Sequence, residues 1–243
     1  MVSPLWWMEV RVLPDYKTAL IIGAGVGISA SLARALSREG LQVGLVGRNP
    51  TRLQELARET RAVVFQTDAS DATAVSQMFK DADAKLGEID VVVYNPSMRA
   101  HGPVAEIDPS AVRDSLAVTA FGGFLAVQEA AKRMIPRKRG AILLTGATAS
   151  IKGFALSSAF AMGKFALRGL AQSAARELGP KGIHVAHFVI DGAVRSARRA
   201  DPTDRPDSTL NPDSIAQTYL DVLRQPRDAW SFEVEVRPWV ETF

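Results

Sequence analysis

The sequence predicts an α/β chain built on one doubly wound, seven-stranded parallel sheet with helices on both faces. Three observations carry that prediction. Short apolar runs alternate with amphipathic stretches from residue 18 to residue 236. Several of those runs are apolar throughout, as strands become when helices cover both sheet faces. The stretches between them suit the right-handed crossover helices that parallel strands require. A chain of 243 residues fits one domain, here 17–243, preceded by an N-terminal extension over 1–16.

Taken in order, Thr18 to Ile22 is rich in strand formers, ends in glycines and reads as the first strand. Ile28 to Arg38 follows with helical spacing, and Val43 to Val46 is the second strand. Thr51 to Thr60 is helical, with its charged residues on one face; Ala62 to Phe65 is the third strand. Ala72 to Leu86 is a helix and Ile89 to Tyr94 the fourth strand. Pro109 to Ile135 reads as one long helix, Ala141 to Thr145 as the fifth strand, and Ser158 to Leu178 as another helix. Ile183 to Ile190 is the sixth strand. Ser214 to Arg224 is a helix whose start is marked by Asn211-Pro212-Asp213. Ser231 to Val236 closes the sheet. Between the sixth strand and the last helix, Ala200 to Pro212 is rich in Pro, Asp and Ser. It predicts either a substrate lid, within a lid-like segment of about 192–225, or a plain solvent loop.

Composition narrows the chemistry. The chain has no cysteine, which excludes disulfides, thiolate nucleophiles and thiolate-ligated metals. With three histidines, three tyrosines and no cluster of His, Asp and Glu at ligand spacing, no metal site is expected. The formal charge of +3 is a small excess. Its densest runs, Arg137-Lys138-Arg139 and Arg195 to Arg199, have no interleaved aromatics, so no nucleic-acid partner is expected. No run reaches the ~18 consecutive apolar residues of a membrane span. The first residues also lack the charged and long apolar regions of a signal peptide. A cytoplasmic protein without a membrane partner is expected. Trp6-Trp7 marks a packed or frayed extension, and Met8 is an alternative start.

The first strand runs into Gly23-Ala24-Gly25-Val26-Gly27-Ile28-Ser29, where a helix begins. Glycines at such a junction let the backbone turn tightly and approach a pyrophosphate, which then rests on free N–H groups at the helix start. This is the signature of a dinucleotide-binding Rossmann fold. The second strand ends in Val46-Gly47-Arg48-Asn49. An NAD enzyme would carry an acidic residue there for the ribose hydroxyls; Arg48, with Arg52 close behind, suits a 2′-phosphate. NADP(H) is therefore favoured, with NAD(H) the alternative. Asp68 and Ala69 follow the third strand beside the adenine, and Tyr94-Asn95-Pro96-Ser97 follows the fourth beside its ribose.

Together these positions resemble the short-chain dehydrogenase/reductase family over about Lys17 to Trp239. Gly23 and Gly27 fit the first two glycines of its GxxxGxG motif, and Ser29 replaces the third. Asp68 fits the adenine-binding Asp and Asn95 the second Asn of NNAG. Phe160-Ala161-Met162-Gly163-Lys164 falls on YxxxK, and Asp191 to Ser196 on the PGxxxT segment around the nicotinamide. The resemblance implies a cofactor set of Gly23, Gly25, Val26, Gly27, Ile28, Arg48, Asn49, Asp68, Ala69, Asn95, Pro96, Lys164, Gly192 and Val194. It also implies a small-molecule substrate and a homodimer or homotetramer paired through the two long helices.

The catalytic positions depart from the family. Its general-acid Tyr is Phe160 here, its carbonyl-polarising Ser is Ala147, and its water-anchoring Asn is Thr119; Lys164 alone is retained. Acid catalysis is worth ~10²–10⁴-fold, so the ordinary alcohol/ketone mechanism does not carry over. Substitute donors are Ser150, Ser157 and His101, with Thr148 and Tyr94 nearby. Ser157 stands seven residues before Lys164, the Tyr–Lys spacing of the family's enoyl-reductase branch. Two functions follow: an oxidoreductase with a rebuilt proton path, or a catalytically inactive cofactor-binding pseudoenzyme serving as redox sensor or assembly partner.

Overall fold

β1 (Thr18–Ile22) is buried along its whole length, so it must be covered on both faces. The computed structural model, which describes residue 13, residues 16–196 and residues 199–241, places it inside a seven-stranded sheet. The elements that follow are α1 (Ile28–Arg38), β2 (Gln42–Gly47), α2 (Gln54–Thr60), β3 (Val63–Gln66), α3 (Ala72–Leu86) and β4 (Val91–Tyr94). After these come α4 (Pro109–Leu116), α5 (Gly122–Arg137), β5 (Gly140–Thr145), α6 (Ser158–Leu178), β6 (Ile183–Ile190), α7 (Pro212–Leu223) and β7 (Glu233–Val236). The strand order is β3-β2-β1-β4-β5-β6-β7, and every pairing is parallel.

Because strand side chains alternate between faces, one sequence supplies two cores. Ile21, Leu45, Val93, Leu143 and Phe188 meet Leu32 and Leu36 of α1 and Ile215 and Tyr219 of α7. Leu20, Ile22, Tyr94, Ile142 and Leu144 meet Phe79 of α3, Leu125 and Met134 of α5, and Leu167 of α6. The chain builds outward from β1 in one direction through β3, then returns to β4 and builds the other way. β1 and β4 therefore diverge at a switch point, where open parallel sheets have their crevice. The register aligns Ile22 with both Val46 and Tyr94. Gly23, Gly47 and Asn95 thus leave the sheet side by side.

Two expectations change. The single long helix over 109–135 is α4 and α5 joined by a widened π turn at Ala117–Phe121. Periodicity cannot display one extra residue in a single turn, and here tertiary bonds hold it open. The Tyr94 hydroxyl donates to the Val118 carbonyl. Thr119 Oγ1 accepts from the Met98 N–H at 3.1 Å, and the Ser115 hydroxyl donates to the Met98 carbonyl at 2.7 Å. The stretch Pro109–Arg137 is long and apolar enough to cross a membrane, but Leu125, Ala126, Ala130 and Met134 pack into the core. The lid-like segment also narrows. α7 buries Ile215, Ala216, Tyr219 and Leu220 and belongs to the core, leaving 192–211 as the loop. Arg195 ties that loop by pairing with Asp201 at 3.0 Å and Asp207 at 3.2 Å. Trp6-Trp7 and Met8 lie outside the described residues.

Candidate active site

Gly23 has a φ of +79°, and a Cβ there would lie 2.7–2.8 Å from Pro96, so only glycine lets β1 turn beneath the loop after β4. The N–H groups of Gly23 and Ala24 both donate to the Val46 carbonyl, at 3.0 and 2.8 Å. Gly27, with a φ of +86°, is the N-cap residue of α1. No side chain caps this helix and its first turn holds no acidic residue, which leaves its N-terminal N–H groups to an anion. Val26 is 92% exposed, so what it offers a ligand is backbone. Ser29, at the family's third glycine, is buried; its hydroxyl donates to the Gly23 carbonyl at 3.1 Å and accepts from Asn95 Nδ2 at 2.6 Å. The serine ties the glycine turn to the end of β4, a bond no glycine can make.

A cavity of about 220 Å³ opens beside this turn, lined by Gly23, Arg48, Asp68, Ala69 and Pro96 among others. Hydrogen bonds from the Ser70 hydroxyl and N–H hold the Asp68 carboxyl below its ordinary range, with the Arg48 charge acting the same way. Thr67 in the cavity wall has a buried hydroxyl oxygen without a hydrogen-bond partner. Buried polar atoms are rarely left so, and a polar ligand here would satisfy it. The uncapped helix, the φ > 0 glycines, Arg48 and the unpartnered Thr67 together fit a phosphorylated nucleotide. Asn49 takes a different part: its side chain accepts from the Thr51 N–H at 3.1 Å and caps the turn before α2.

The second cavity, about 250 Å³, lies across the end of β5. Ile28, Asn95, Ala147, Phe160, Lys164, Gly192 and Val194 all border it, so the sequence-predicted nicotinamide residues converge there. Lys164 is buried, and Nζ donates to the Thr145 carbonyl at 2.6 Å. Burial pulls its ammonium down to about 7, and the nearby Arg99 charge pulls the same way. Arg99 lies over the Phe160 ring, its guanidinium carbon 4.2 Å from the ring centroid. Sequence reasoning passed over Arg99 because no motif names it. The only available signal was its place in the loop that also carries His101.

The proposed substitutes are dispersed. Ser150 is buried, and its hydroxyl accepts from the Ala147 N–H at 3.1 Å. Thr148 donates to Asp191 at 2.5 Å. Ser157 precedes α6 as its N-cap residue without a side-chain cap bond, and neither it nor the exposed His101 borders the Lys164 cavity. Thr119 is buried in the π turn, committed to Met98. The tyrosine hydroxyls are harder to ionise than usual, chiefly through burial: Tyr16 is pushed up to about 12, and Tyr94 and Tyr219 higher still. Tyr219 also bonds Thr145 Oγ1 at 2.8 Å. His184 stacks on Trp230 with centroids 4.6 Å apart. His187 bonds Glu233 at 3.0 Å, and Arg168 grips the same carboxylate through two bonds of 2.7–2.8 Å. Burial lowers the affinity of both histidines for a proton. No group of acidic and imidazole side chains among the described residues suits a metal.

A switch-point crevice with a glycine turn at one end and a buried lysine at the other is the arrangement of a dinucleotide-binding Rossmann fold. The chain belongs to the short chain dehydrogenase family, whose profile matches residues 17–205. An uncharacterized oxidoreductase of Staphylococcus aureus (strain USA300) is 29% identical over 238 residues, covering 94% of this chain and 100% of the relative. The crystal structure of a short-chain dehydrogenase from Rhodopseudomonas palustris is 33% identical with a TM-score of 0.80, over 93% of this chain and 100% of that one. A metagenomic short-chain oxidoreductase in complex with NADP is 28% identical, also with a TM-score of 0.80, over 92% and 98% of the two chains.

Proposed function

We propose that the chain is an NADP(H)-dependent reductase of activated carbonyl or C=C substrates in which Lys164 supplies the proton. The observation that carries this reading is a buried lysine beside Phe160 whose ammonium is drawn down to about 7. A bound reduced nicotinamide would supply hydride. The glycine turn and the start of α1 would hold its pyrophosphate, Arg48 would hold its 2′-phosphate, and Gly192 and Val194 would border its ring. An ordinary lysine, near 10.4, is a poor acid at neutrality. One near 7 is matched to it. Nζ spends one hydrogen on Thr145 and keeps others for an alkoxide or for one intervening water. NADP over NAD is supported by Arg48 at the cavity rim, with no carboxylate of β2 beside it.

The pseudoenzyme reading is favoured by a different fact: the hydroxyls of Ser150, Tyr94 and Tyr219 are all committed within the protein. One experiment separates the two. NADPH binding is followed by cofactor fluorescence, then its oxidation at 340 nm with a panel of enones and ketones between about pH 5.5 and pH 8.5. Turnover that falls as pH rises through about 7 is expected. Tight binding without oxidation of any substrate makes the chain a pseudoenzyme.

A further inference from the structure

We propose that the cavity over Phe160 is a carboxylate site, with Arg99 as its specificity-determining residue and small 2-oxo acids as the ligand class. Among the described residues, the basic side chains of Arg99, Lys164 and Arg199 border the cavity and no Asp or Glu does. Arg99 has no hydrogen bond or ion pair to the protein among the described residues, whereas the neighbouring Arg195 and Arg168 are each matched to carboxylates. Its guanidinium carbon lies 4.2 Å from the Phe160 ring centroid. A guanidinium lying on a ring keeps its N–H fork free at the edge, and that fork matches a carboxylate in two parallel bonds.

The support beneath Arg99 is fixed on both sides. Met98 is held through its N–H by Thr119 and through its carbonyl by Ser115, and the Gly102 N–H donates to the Leu156 carbonyl at 3.0 Å. The fork is thus positioned before any ligand arrives, which lowers the ordering cost of binding. Phe160 gains a meaning beyond the lost hydroxyl: it is the platform for this cation. That the bound carboxylate is then reduced rests on the reductase reading above; the binding itself does not.

The test is calorimetric titration of the full chain with benzoylformate and with its methyl ester, alone and with saturating NADPH. Charge-assisted hydrogen bonds predict that the acid binds about tenfold or more tightly than the ester. Arg99→Met, which keeps an apolar stem on Phe160, should abolish that preference. Circular dichroism of the variant checks its fold. Equal binding of acid and ester by the parent chain overturns the proposal, as does a preference that survives Arg99→Met. Failure to bind NADPH would refute the reductase reading alone, because the titration without cofactor still decides the carboxylate site.

Discussion

Phe160 differs from the family's tyrosine by a single oxygen, and Lys164 lines the same cavity. Phe160→Tyr is expected to raise the reduction of simple ketones by about 10²–10⁴-fold, read at 340 nm. Lys164→Met should remove the fall in rate above about pH 7 along with most of the rate. The same substitution has a stability signature. The lysine is near 7 when folded and about 10.4 when unfolded, so between those values the unfolded chain binds more protons. Stability should climb as pH rises from about 7 towards about 10, and the variant should lack that climb when urea unfolding is compared at about pH 6.5 and about pH 9.5. At the other cavity, Arg48→Ala should weaken NADPH about 10-fold or more and leave NADH nearly unchanged, because only the former has a phosphate to lose. At this scale the sequence was legible wherever a motif fixes a position, as at Gly23, Asp68, Phe160 and Lys164. It was silent on Arg99, whose meaning depends on a loop pinned to the π turn, and on Ser29, which looked like a missing glycine and is a crosslink.

Between elements, close contacts decide what tolerates change. A Cβ on Gly163 of α6 would lie 2.9 Å from the Thr119 Cβ, inside the π turn. Gly163→Ala should cost about 1–3 kcal/mol by overpacking and move Met98 with it, so Arg99-dependent binding should fall as well. Ser29→Ala leaves Asn95 Nδ2 without its partner; the expected cost is about 1–3 kcal/mol in thermal unfolding, with weaker NADPH binding. The order of strands and helices could be read from the chain because the runs are long and their periods differ. The π turn could not, since it adds one residue to a helix whose apolar stripe continues on either side. Nor could the core position of α7: its helix was readable from the Asn211-Pro212-Asp213 start, but its burial against α1 was not.

At the scale of the whole molecule, the described residues carry an exposed apolar surface on their helices. Phe121, Phe124, Met162 and Phe165 of α5, α6 and the π turn are each more than 40% exposed. A groove of about 370 Å³ between α5 and α6 is lined by Phe124, Val127, Ala131 and Leu170 among others. A homodimer or homotetramer through these helices is our expectation, read by light scattering on the eluting protein. Phe124→Glu together with Phe165→Glu should yield a folded species of lower mass; an unchanged mass would remove these helices from the interface.

The two outer strands explain why helices should be the route of assembly. β3 and β7 are each four residues long, and β7 reads Glu-Val-Glu-Val. The Glu233 carboxylate is pinned by Arg168, and Glu235 is paired with Arg237. At β7 an incoming strand would meet a short, charged border already engaged in ion pairs, a poor template for open-ended growth. Removing that charge, as in Glu233→Val with Glu235→Val, would leave a continuous apolar border. The protein should then form fibrils or amorphous aggregates at concentrations where the parent chain stays clear.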